Sequence, residues 1–161
     1  VTGVQTCALP ILKMKFEIKG LKTWHTNDGG GYQFNLYIDG KKALWVHNDG
    51  NGGCTNISPL DVQYPNQWSE SKFYKMFTDY VKTLPKYEMF GEWFDTSEEI
   101  FLEELLNDYE YQKALAKHKK KGICFRLLSD EKGAVRSFKT HDMDAVLKYL
   151  NDKHPNQYVI L

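Results

Sequence analysis

The stretch Gly29–Gly53, GGGYQFNLYIDGKKALWVHNDGNGG, decides how the chain is to be read. Tyr32 to Ile38 and Lys41 to Asn48 alternate apolar and polar residues. Asp39-Gly40 between them readily takes the two positive-φ positions of a type I′ turn. The spacing predicts a β-hairpin with a glycine cluster at each far end. With a two-residue loop and regular pairing, even-numbered residues of the first strand oppose odd-numbered residues of the second. Tyr32, Phe34, Leu36 and Ile38 then share the core face with Ala43, Trp45 and His47. Gln33, Asn35, Tyr37, Lys42, Leu44 and Val46 share the other. Tyr32 and His47 reach the open end beside both glycine clusters, and a ligand is expected there.

Outward from the hairpin, Met14 to Lys19 reads as a half-buried strand and Gly20 to Gly31 as a loop carrying Trp24 and His25. Cys54 to Ile57 suggests a short strand and Ser58 to Gln67 a connection. Phe73, Met76, Phe77, Tyr80, Val81 and Leu84 form one helical stripe behind Ser69 or Ser71. Thr96 and Glu99 stand at capping-box spacing ahead of Leu102, Leu105, Leu106 and Tyr109. Lys117 to Lys121 and Gly122 close that helix. Ile123 to Leu128 and Ala134 to Lys139 read as a second hairpin. A helix capped by Thr140 or Asp142 follows, then a strand from Tyr158. The expected fold is α+β: a mostly antiparallel sheet built from two β-hairpins packed with about three helices. Residues 14–161 are expected to make a single domain, with sub-lobes 14–67 and 122–161 joined by helices over 68–120.

Val1 to Ile11, VTGVQTCALPI, is similar residue for residue to the translation of a short-read sequencing-library adapter. Residues 1–13 are therefore expected to be non-native or disordered, with Met14 as the native start. Such joins arise in environmental assemblies, where small phage genes abound. The 21 basic and 21 acidic residues balance, which argues against strong non-specific nucleic-acid binding. Nothing approaches the length of a membrane span. Outside the adapter-like segment stand Cys54 and Cys124, too few for a disulfide framework, so a reduced cytosol is expected.

No catalytic signature names a reaction. A GxGxxG loop needs glycine at Thr55, a Walker loop needs it at Asn35, and Leu60 stands where the glutamate of an EF-hand belongs. His25, His47, Cys54, Cys124 and His141 lack zinc spacing, so no metal and no cofactor is expected. His141-Asp142-Met143-Asp144 is most simply a helix start. Arg126 and Arg136, the only arginines, lie on the two strands of the second hairpin and were they to converge would suit phosphate. An acidic cross-strand partner is the ordinary alternative.

Gly29-Gly30-Gly31-Tyr32, Leu36-Tyr37-Ile38-Asp39-Gly40-Lys41 and Asn48-Asp49-Gly50-Asn51-Gly52-Gly53 together resemble a group of small phage-encoded proteins of unassigned function, over most of residues 14–128. By class analogy the resemblance implies an anti-defence factor acting in the host cytosol. The expected activity is non-catalytic sequestration of a nucleotide-derived immune signal, of the cyclic oligonucleotide or cyclic ADP-ribose type. Glycine-loop amides around Asn48, Asn51 and Gly52, with Arg126 or Arg136, would take phosphates. Trp24, Tyr32 or Trp45 would stack on a base, with His25 and His47 alongside. The alternatives are a protein-binding inhibitor of a host defence enzyme or nuclease, and a small phosphoesterase using His25, His47 or His141. A homo-oligomer is compatible with any of these.

Overall fold

Phe16–Thr26 (β1), Gly29–Ile38 (β2), Lys41–Asn48 (β3) and Asn56–Pro59 (β4) form an antiparallel sheet in sequence order. They do so in a computed structural model that describes residues 14–63 and 65–161; the adapter-like segment lies outside the described residues. Asp39 and Gly40 adopt φ 48° and 79°, and Ile38 pairs with Lys41, so the expected two-residue turn is formed.

The expected sorting of faces fails partway along β3. Tyr37 pairs with Lys42 but Leu36 pairs with Leu44, which leaves Ala43 as an extra residue in the ladder. This bulge shifts the alternation by one. Leu44 and Val46 therefore join Phe34, Leu36 and Ile38 in the core, all at 1% exposure or less. Trp45 and His47, expected inside, turn to the outer face opposite Asn35 and Gln33. Tyr32 pairs with Asn48 and does not share a face with His47.

The expected loop at Gly20–Gly31 is also corrected. Gly20, at φ 68°, lies in a second irregularity between Lys19 and Lys22, after which β1 continues to Thr26. Only Asn27 and Asp28 separate β1 from β2. The fourth strand starts at Asn56, two residues later than its predicted start at Cys54.

Residues to Leu102 form one compact unit, and Glu103–Leu161 another, the division falling inside the second α-helix. In the first unit a 3-10 turn over Pro65–Glu70 leads into Lys72–Val81 (α1). Ser71 caps α1 through the Tyr74 amide at 2.9 Å, and Asp61 accepts from the Lys72 amide at 2.9 Å. A carboxylate and a hydroxyl thus satisfy donors that the first turn leaves open. Phe77 and Val81 are buried on the apolar stripe. The Phe16 ring meets Phe77, Tyr80 and Phe101 at 6.3, 4.8 and 5.1 Å between centroids. Full burial of Phe77 and of Val81 stabilises the unit by roughly 1.5–3 kcal/mol each.

Glu98–Lys119 is α2. The predicted capping box is not formed. Ser97 receives the Ile100 amide at 3.3 Å, Thr96 donates to the Pro85 carbonyl, and Glu99 accepts the Thr55 amide at 2.9 Å. Partners outside the helix, a carbonyl acceptor for Thr96 and an amide donor for Glu99, have taken both side chains of the motif. Between α1 and α2, Tyr87–Met89 (β5) and Glu92–Phe94 (β6) form a small hairpin that periodicity did not predict.

In the second unit Cys124–Leu127 (β7) is the centre of a three-stranded antiparallel sheet. Arg136–Ser137 (β8) lies on one side and Tyr158–Ile160 (β9) on the other. Met143–Lys153 (α3) connects β8 to β9, and Asp142 caps it through the Ala145 amide at 3.0 Å. Ile123, Phe125 and Leu127 pack with Val146 and Leu150. The chain is an α+β protein with three α-helices and antiparallel sheets among its described residues.

Candidate functional site

The outer face of the first sheet gathers rings and amines. After the β1 irregularity, Lys22 and Trp24 pair with Gln33 and Gly31, and Gln33 pairs onward with His47. Cross-strand partners share a face, so Lys22, Trp24, Gln33, Trp45 and His47 all look the same way. The His47 ring lies between two indoles, 5.8 Å from Trp24 and 5.1 Å from Trp45, the latter stacked at 19°. Further along, Lys19 Nζ stands 4.2 Å from the centre of the Tyr37 ring, and Lys42 pairs with Tyr37. The three rings of the row are half-buried, leaving part of each open to solvent.

Trp24 is held from two directions. Its Nε1–H donates to the Asp49 carbonyl at 3.1 Å, and its ring fills the space that a side chain at Gly31 would need. The two glycine clusters do meet, as the hairpin implied, but they pack on one another and leave no cradle between them. A Cβ at Gly50 would stand 2.6 Å from the Gly31 nitrogen, and both glycines are buried. Thr26 Oγ1 lies 2.5 Å from the Gly50 carbonyl. The Gly50 amide is taken by Asn48 Oδ1 at 2.9 Å and the Asn51 amide by Asp49 Oδ1 at 3.0 Å. The turn thus spends those amides on its own side chains, in the manner of Asx-turns.

The remaining expected site residues are dispersed. Tyr32 stacks on Phe34 at 5.9 Å and bonds Thr55 through its hydroxyl, on the core face. His25 pairs with Gly30, is exposed, and points away from Trp24. Asn48 spans the loop by donating to the Gly53 carbonyl and to Thr55. Gly52 is exposed at φ 77°. Arg126 and Arg136 do not converge: Arg136 pairs with Phe125, so neighbouring Arg126 faces the other way. Arg136 grips Asp130 with two bonds of 2.8 and 2.6 Å, an acidic partner supplied by the connecting loop and not, as expected, from across the strands. Among the described residues no three His, Cys, Asp or Glu side chains are placed to hold a metal ion, and no helix is long and apolar enough to cross a membrane.

A second feature was not anticipated. Phe90 and Gly91 form the β5–β6 turn at φ 55° and 81°, between the paired residues Met89 and Glu92. These are type I′ positions, which favour Asn, Asp and Gly and strain a bulky L-residue. Phe90 is 95% exposed, with Trp93 at 64% and Met89 at 43% beside it. The sequence signal was the glycine at 91 between two aromatic pairs; phenylalanine in the first turn position concealed it.

Compared with protein-family models, curated proteins and solved structures, the chain matches none.

Proposed function

We propose that this is a non-catalytic binding protein that holds a nucleotide-derived ligand on the open face of its first sheet. The ring row Trp24–His47–Trp45 carries the reading. Bases stack on such platforms with a gain of about 1–3 kcal/mol each. Lys22 on the same face, with Lys42 beyond, supplies the positive charge that a phosphate needs, while Lys19 shares Glu17 with Lys15, at 4.0 and 2.9 Å. The resemblance to small phage-encoded proteins supports an anti-defence role in the host cytosol, with cyclic dinucleotides and cyclic ADP-ribose isomers as the ligands to try first. Because a ligand that binds only the native state stabilises it, one of these should raise the melting temperature by several degrees and be recovered unchanged after heat denaturation. The reading fails if none does, or if the recovered molecule is altered.

The β5–β6 hairpin favours a second reading, inhibition of a host protein. Exposed aromatic anchors are what protein interfaces bury at their centres. Glu88, Glu92 and Asp95 outnumber Lys86 around Phe90, which suits an apolar pocket with a basic rim. A photo-crosslinker at Phe90 should trap a host protein that the purified chain then binds, and Phe90→Ala should weaken that binding about tenfold or more. Equal binding by Phe90→Ala would remove this reading.

A further inference from the structure

The second unit contains a cleft of about 690 Å³ that none of the functional readings above uses. One wall is a single stripe of α2, since Glu104, Asn107, Asp108 and Tyr111 follow the i, i+3, i+4, i+7 spacing. The other is Arg126 of β7 with Lys132 and Gly133 of the β7–β8 connection.

Arg126 is the anomaly. Its Nε is sealed from solvent and has no hydrogen-bond partner. Buried polar groups are rarely left so, and each exception calls for a cause. Asp130 is near enough for its carboxyl to feel the charge of Arg126, but its oxygens are bonded by Arg136 and the Leu127 amide. Among the described residues, neither Glu104 nor Asp108 forms an ion pair with Arg126 or Lys132. Two cationic and two acidic side chains thus line one open space without neutralising each other directly.

We propose that this cleft binds a small zwitterion of amino-acid type, its carboxylate on Arg126 and Lys132 and its ammonium on Glu104 and Asp108. A planar guanidinium is the natural seat for a carboxylate, and its field, with that of Lys132, is balanced across the cleft by two acids. A dianion such as phosphate gains from one wall and is repelled by the other, whereas a dipolar ligand gains from both. The volume falls within the range of small-molecule sites and leaves room for a side chain beyond the charged groups. Nothing here depends on the ring row of the first sheet, so the two proposals stand or fall separately.

The test is a binding screen of the standard L-amino acids on the full chain by ligand-observed NMR. Hits are then titrated beside their N-acetyl and carboxamide analogues and inorganic phosphate. At least one amino acid should bind with Kd below ~1 mM, and each analogue, lacking one charge, should bind about tenfold or more weakly. Arg126→Gln should lower affinity about tenfold, and so should Lys132→Gln, an exposed position whose substitution leaves the core untouched. Trp45→Ala should leave amino-acid binding intact. The proposal is overturned if no amino acid binds at ~10 mM, if phosphate or the analogues bind equally well, or if folded Lys132→Gln retains full affinity.

Discussion

The Trp24 indole occupies the place of a side chain that Gly31 lacks, while its Nε1–H reaches the Asp49 carbonyl beyond. Gly31→Ala would set a Cβ against that ring and 2.8 Å from the Asp49 oxygen. It should cost about 1–3 kcal/mol by overpacking, read by chemical denaturation. A red shift of tryptophan emission should accompany it as the indole is displaced.

The bulge at Ala43 makes opposite demands on neighbouring residues of β3. Leu44, fully buried, should cost about 2–5 kcal/mol as Leu44→Ala. Trp45→Ala, on the outer face, should cost less than half as much and abolish nucleotide-dependent stabilisation. A larger loss from Trp45→Ala than from Leu44→Ala in urea unfolding would contradict the register.

Asp130 carries the clearest pH signature. Hydrogen bonds from Arg136 and from the Leu127 amide hold its carboxyl down at about 2 against the usual 3.8. A carboxylate whose folded-state value is depressed adds stability that is present above the unfolded value and is lost as pH falls through the folded one. The contribution should therefore fade between about pH 4 and pH 2. Asp130→Asn should flatten the fall of melting temperature across that window and lower the melting temperature at pH 7.

Phe90 occupies a backbone conformation that asparagine accepts more readily. Phe90→Asn should raise hairpin stability by up to ~1 kcal/mol, seen as a higher melting temperature. The same variant should lose binding of an apolar fluorescent dye. A lower melting temperature would mean that the ring is held by contacts within the chain.

The parts of the fold that were legible carry local chemical marks. Asp39-Gly40 announces a turn, Ser71 and Asp142 announce helix starts, and Phe77 and Val81 share a helical stripe. The faces of β3 were not legible because alanine at 43 carries no sign that it is the supernumerary residue. Glycines 29–31 read as a loop, but they sit in a strand, and an indole crossing the strand pair demands the glycine at 31. Trp24, Trp45 and His47 belong to a wider expected set, and only these three of it form one row, on the outer face and not the core face expected for Trp45 and His47. The acidic partner of Arg136 comes from the connecting loop and not from across the strands, and the solitary Nε of Arg126 depends on where Asp130 directs its oxygens, neither of which spacing reveals.

Gly50 backs directly on the Gly30–Gly31 peptide, and the two reversals of chain are joined there as a hinge pin joins two leaves. Anyone grafting a peptide, a tag or a randomised segment into this end of the sheet therefore has two very different sites within five residues. At Asn51–Gly53 the backbone is exposed and added length projects outward. At Asp49–Gly50 a single extra atom would prise the leaves apart and unseat Trp24 with them.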